Sequence, residues 1–192
     1  MTVGAAVWET IATEAAEESG LWAAALRPED EREPIAVFSP LAPAGLALGL
    51  ETIYEGYLMH YGRPRLFAAE DRDTRILLGD YLYAHGLVRV AESGDVRVVA
   101  DLAALLSVCA QLRAEVEPGR PVADGVVWAA TLACLGRDDP ELAAARAELR
   151  DRGEPGALAD VAVAAAGADA VEDALVRHAE RAAADTTRIP PR

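Results

Sequence analysis

The sequence predicts an all-α protein, a compact helical bundle, on three observations. Apolar residues recur at three- and four-residue spacing through almost the whole chain. Alternating runs that would read as strands are nearly absent. The breaks between apolar segments are firm, as at Glu117-Pro118-Gly119-Arg120-Pro121. With 192 residues, 52% of them hydrophobic, the chain is long enough to bury one sizeable core. A single domain over residues 1–184 is expected, with 185–192 as a frayed tail ending in Pro190-Pro191.

Residues 5–26 read as the first helix, with Glu9, Glu14, Glu17 and Glu18 interleaved among Val7, Trp8, Ile11 and Leu21. Residues 27–43 read as an irregular loop. Pro28, Pro34, Pro40 and Pro43 surround an acidic run there, and proline removes backbone donors and blocks helix continuation. A helix from residue 41 or 44 to 60 then ends near Gly62-Arg63-Pro64, and another runs from 71 or 73 to 91, closed by Glu92-Ser93-Gly94. Asp95 caps the next, to about 115, in which Val98, Val99, Leu102, Leu105, Leu106, Cys109 and Leu112 form a broad apolar stripe. Helices over 122–135, 140–150 and 157–184 follow, the last split at Gly167. Asp138-Asp139 before Pro140-Glu141-Leu142 reads as a turn and helix N-terminus, with proline at the first helical position.

Composition removes several functions. All 18 basic residues are arginine, which excludes Schiff-base chemistry, a Walker-type phosphate loop and a lysine base. A formal charge of −14 argues against a nucleic-acid surface, and the arginines are scattered among acids, so an anionic membrane surface is not an expected partner either. The longest apolar stretch, residues 157–168, is too short for a span and is broken by Asp160. The start at Met1-Thr2-Val3-Gly4 lacks the features of a signal peptide, so a cytoplasmic protein is expected. Cys109 and Cys134 have neither CxxC spacing nor a neighbouring histidine, and read as small core residues.

The segment Leu50-Glu51-Thr52-Ile53-Tyr54-Glu55-Gly56-Tyr57-Leu58-Met59-His60 is similar to a helix "LELIHxxSLIH" that runs into an aspartate-rich DDxxD motif. Gly62-Arg63-Pro64 is similar to the "RGxPT" that follows such a motif, and Leu78-Gly79-Asp80-Tyr81-Leu82-Tyr83-Ala84 to "LAGDYLLA". On these residues the chain resembles the isoprenyl (polyprenyl) diphosphate synthases, most strongly over residues 46–113. Weaker echoes are Val127-Trp128-Ala129-Ala130-Thr131-Leu132, Gly167-Ala168-Asp169-Ala170 and Leu26-Arg27-Pro28. The resemblance implies a shortened isoprenoid-synthase fold that has lost its chemistry. The aspartates of the first motif are missing, with Arg65 at the third aspartate position, and no second motif follows. Those carboxylates hold the magnesium that neutralises a leaving diphosphate. No catalytic residue and no cofactor are therefore expected, magnesium entering only with residual prenyl transfer.

Glu51 and Glu55, one helical turn apart, are the best remaining carboxylate pair for magnesium, with Glu70, Asp71 or Asp73 as further oxygens. Tyr54, His60, Arg63, Arg65, Asp80 and His85 are the candidate cavity or diphosphate contacts. Arg63 and Arg65 suit phosphate oxygens. Asp80 is expected in a buried ion pair with Arg63, Arg65 or His85. His85 is expected beside Tyr54, Tyr57 or Tyr61, and His178 at the surface. The family pairs through helices, and some synthases carry a small subunit without the aspartate motifs. The resemblance thus implies association, as a subunit of a full-length prenyl diphosphate synthase or as a homo-oligomer. An isoprenoid ligand held without metal is the alternative.

Overall fold

The computed structural model describes residues 4–115 and 122–182, and they are helical almost throughout. The elements are α1 (Ala5–Glu18), α2 (Gly20–Ala25), α3 (Ala47–Tyr61), α4 (Arg72–Ala91), α5 (Val96–Glu115), α6 (Asp124–Ala133), α7 (Pro140–Arg152), α8 (Gly156–Ala166) and α9 (Ala168–Ala182). Among the described residues, extended pairing is limited to an isolated antiparallel bridge between Leu26 and Phe67. The predicted tail lies outside the described residues.

Local chemistry fixes most boundaries. The first helix is not continuous to residue 26, as the sequence suggested. Ser19 adopts extended backbone angles and its hydroxyl accepts from the Leu21 amide at 3.1 Å, so it caps a new helix. Asp71, Asp95 and Asp139 start α4, α5 and α7 in the same way, accepting from Thr74, Arg97 and Glu141 at 2.8, 3.0 and 2.8 Å. Gly153 ends α7 in the left-handed region (φ 72°), and Gly167 (φ 88°) separates α8 from α9. Residues 27–43 form a strap with two short 3₁₀ turns, Glu29–Glu31 and Ser39–Leu41. Arg75 reaches back from α4 to the last carbonyls of α3, donating to Met59 O at 2.5 Å and Gly62 O at 2.7 Å.

Two helices are buried along most of their length. Every residue of α3 from Gly49 to Met59 is buried, as is nearly all of α6, the signature of a helix surrounded by others rather than lying on a surface. α3 and α4 form an antiparallel hairpin in which Gly49 faces Gly86 and Gly56 faces Gly79. A Cβ on Gly86 would lie 2.8 Å from Gly49 O and 2.9 Å from Ile53 N, and one on Gly56 would lie 2.9 Å from Gly79 O. Backbone atoms lie within 3 Å at both crossings, so shifting the neighbouring Ile53 or Tyr83 side chain would not by itself make room. α5 to α9 pack around α6 on the other side of α3 and share its main core. A smaller core of Trp8, Ile11, Ala15, Met59, Phe67 and Leu78 joins α1 to the α3–α4 hairpin. Cys109 and Cys134 are free and buried within the main core, as expected.

Gly86→Ala is expected to lower stability by about 1–3 kcal/mol through overpacking, despite alanine's better helix propensity. Gly20→Ala, whose Cβ meets open space, is expected to leave stability equal or slightly higher. Urea unfolding of the two variants checks both.

Candidate functional site

The polar residues singled out in α3 converge on one buried guanidinium. Arg65, Glu51 and Glu55 are 0%, 1% and 0% exposed. The i, i+4 spacing of the two glutamates places both carboxylates on one face of α3, and the turn after α3 returns the chain so that Arg65 lies against them. Arg65 Nη1 donates to Glu51 Oε2 at 2.5 Å and to Ile35 O at 3.0 Å, Nε to Glu55 Oε2 at 2.8 Å, and Nη2 to Glu51 O at 3.1 Å. Glu55 Oε1 accepts the amides of Arg65 and Leu66 at 2.8 and 2.7 Å, and Glu51 Oε1 accepts the Ser39 hydroxyl. The guanidinium carbon lies over two aromatic rings, 4.6 Å from the centroid of Trp8 and 5.0 Å from that of Tyr54. Burial opposes its charge, but Glu51 and Glu55 outweigh burial and hold its pKa above the ordinary arginine value.

This arrangement bears on two of the candidate sites. All four glutamate oxygens are taken by donors, so a magnesium ion at Glu51 and Glu55 would have to displace the arginine between them. Asp71, a proposed further ligand, is occupied as the cap of α4. Among the described residues, no three His, Cys, Asp or Glu side chains are grouped to hold a metal. Arg65 is likewise committed inward and offers nothing to a diphosphate. Arg63 lies at the surface and pairs with Glu33 of the strap.

The histidines and Asp80 also sit differently from expectation. Asp80 is exposed, its side chain 64% accessible, and pairs with His60 at 3.1 Å rather than with an arginine or His85. His60 stacks on Tyr83 with centroids 5.1 Å apart, and a Cβ on Gly79 would come 2.6 Å from His60 Nε2, so a side chain there would displace the imidazole. Burial pulls the His60 pKa down, opposed by Asp80. His85 lies away from Tyr54, Tyr57 and Tyr61. It stacks on Tyr81 and bonds Glu14 at 2.9 Å, on the wall of a cavity of about 430 Å³ shared by α1, the start of α3 and the end of α4.

His178 is buried, 4% exposed, and anchors a second polar network that the sequence did not reveal. Its Nδ1 lies 2.9 Å from Tyr54 Oη and its Nε2 3.2 Å from Asp124 Oδ1. Asp124 also accepts from Tyr57 Oη, from Arg113 Nε at 2.8 Å, from Arg113 Nη2 and from the Gly125 amide at 2.9 Å. Burial alone would raise the Asp124 pKa; the bonds and charges of His178, Arg113 and Tyr57 outweigh it and set it at about 2. Burial pushes the Tyr54 and Tyr57 hydroxyls well above the ordinary tyrosine value. Gly125 leaves room for the imidazole, since a Cβ would approach His178 Cδ2 at 2.7 Å. Phe38, Tyr54, Tyr57, Trp128 and His178 fill the space between α3, α6 and α9 ring against ring. A signal for His178 was present. Val171, Ala174, His178 and Arg181 lie three, four and three residues apart and form the buried face of α9.

Arg65→Met is expected to cost about 3–5 kcal/mol, because two buried carboxylates lose their counter-ion. Arg65→Lys is expected to recover only part, lacking the planar fork. Equilibrium urea unfolding measures both. Asp124 has a folded pKa near 2 against an ordinary 3.8, so its contribution is present above about pH 4 and is lost as pH falls towards 2. It amounts to about 2 kcal/mol. The stability gap between the wild type and Asp124→Asn is therefore expected to narrow across that window in pH-dependent unfolding.

The chain matches no protein-family model, no curated protein and no solved structure.

Proposed function

We infer that this chain is a non-catalytic, prenyl-synthase-like protein that works by helix-mediated association, as an accessory subunit of a full-length polyprenyl diphosphate synthase or as a homodimeric scaffold. The observation that carries this reading is the saturation of Glu51 and Glu55 by Arg65. In the helix that leads, in the resembled family, into the magnesium-binding carboxylates, this chain's own two carboxylates are taken by an internal cation. The ring-filled space between α3, α6 and α9 further favours a structural role for the interior over a prenyl-chain tunnel there.

The outer face of α4 supports association. Leu77 and Val88 are 56% and 61% exposed, and they share the face with exposed Ala84 and half-buried Tyr81, whose ring lies tilted against Trp22 of α2 with centroids 5.9 Å apart. Apolar side chains at positions 77, 81, 84 and 88 follow helical spacing. A second reading, metal-independent binding of an isoprenoid or other lipid, draws on the cavity beside His85, whose walls include Leu46, Leu48, Val88 and Val90.

Native mass of the purified protein, alone and mixed with a full-length prenyl diphosphate synthase, tests the association reading. A stable heteromer, or a homodimer that Leu77→Glu dissociates, is the expected result. A monomer that ignores the synthase would overturn it, and retention of a fluorescent prenyl analogue by that monomer would favour the lipid reading.

A further inference from the structure

The strap places one carboxylate between two arginines from distant parts of the chain. Glu33 accepts from Arg63 Nη1, from Arg63 Nη2 at 3.2 Å and from Arg181 Nη2 at 3.2 Å. The two arginines are also joined through their backbones, Arg63 N donating to Arg181 O at 3.0 Å, so their relative placement is fixed independently of Glu33. A Cβ on Gly62 would come 3.0 Å from that same Arg181 carbonyl, and the close approach therefore depends on the glycine before Arg63. The clamp is built by α9 and the turn after α3, and the strap enters it as a guest.

Two features mark Glu33 as an imperfect occupant. Arg181 is 4% exposed, yet among the described residues its Nη1 has no hydrogen-bond partner. Covalent geometry puts that nitrogen beside the Nη2 that holds Glu33, so the unused donor belongs to the clamp. A carboxylate presents two oxygens in one plane, while the clamp offers four terminal guanidinium nitrogens from two planes. A tetrahedral oxyanion presents oxygens outside a single plane and up to two negative charges, which suits the two donor planes and the two cationic charges. Burial, together with the nearby charge of Arg65, pulls the Arg181 pKa below the ordinary arginine value. A dianion would offset that penalty more fully than one shared glutamate.

We propose that Arg63 and Arg181 form a binding site for a phosphate group, free or carried on a small monoester, and that Glu33 is its internal competitor. Phosphate binding then releases Glu33 and loosens the strap, whose remaining ties to α9 and the turn include the 3.3 Å bond from Arg177 Nη1 to Ala36 O and the bond from the Glu33 amide to Arg65 O. The site is independent of the association reading and is tested on the full chain alone.

Isothermal titration with inorganic phosphate, against chloride at matched ionic strength, makes the test. Glu33→Gln is expected to bind phosphate at least tenfold more tightly than the wild type, and adding Arg63→Met to Glu33→Gln to abolish that gain. Both substitutions fall on partly exposed side chains, and circular dichroism confirms the fold. On the wild type, phosphate is expected to speed tryptic cleavage after Arg32, next to the released carboxylate. Equal affinities for the wild type and Glu33→Gln, a gain that survives Arg63→Met, or a cleavage rate that does not respond to phosphate would each overturn the proposal. Glycerol phosphate in a parallel titration separates the two sources: binding of both ligands assigns the site to monoesters, binding of inorganic phosphate alone to the free ion.

Discussion

The rest of the structure depends on a single buried cation. Arg65 brings together the middle of α3, the turn that follows it, the strap and α1. Its partners are Glu51 and Glu55 of α3, the Ile35 carbonyl of the strap and the Trp8 ring of α1. Such a group is costly to take out of water, and only dense hydrogen bonding with opposite charge makes it tolerable. Each of these bonds also fixes a direction. The fork of the guanidinium admits one orientation of each carboxylate, so the helix, the turn and the strap are set relative to one another by geometry as much as by apolar contact. The aromatic cluster begins where this constraint ends, at Tyr54, which touches Arg65 on one side and His178 on the other.

Helix class and most helix positions were legible because apolar spacing and capping chemistry are local. Asp71, Asp95 and Asp139 announced three starts, and Gly167 one break. Ser19 was missed because the acidic and apolar pattern continues across it, so periodicity outweighed a cap signal of only one residue. The close α3–α4 contact was also legible in principle. Gly49 and Gly56 are seven residues apart, as are Gly79 and Gly86, and that repeat in two consecutive helices points to backbones in contact.

The polar sites were less legible, for a physical reason. Whether a charged side chain is buried depends on a partner that is remote in sequence. Asp80 and Glu55 occupy similar-looking contexts, yet one is exposed and the other sealed, because Arg65 reaches only the second. His178 lies in a helix rich in acids and arginines, and composition suggested a surface position. The apolar spacing of Val171 and Ala174, which places it inward, was the better guide. Asp124 carried no local signal, since its partners Tyr57, Arg113 and His178 come from three other helices.

The strap has a consequence for how the molecule is made. Glu33 bonds Arg181 across 148 positions, and Tyr54 bonds His178 across 124. Contacts of such separation form only after long loops have closed, which slows folding relative to a bundle held by neighbouring helices. During synthesis the first third of the chain leaves the ribosome well before α9 exists. Tyr54 must then wait for a partner, His178, that is translated 124 residues later. The nascent chain thus exposes an aromatic patch while the intervening helices are made, a period in which a chaperone or a partner subunit has its best access to it.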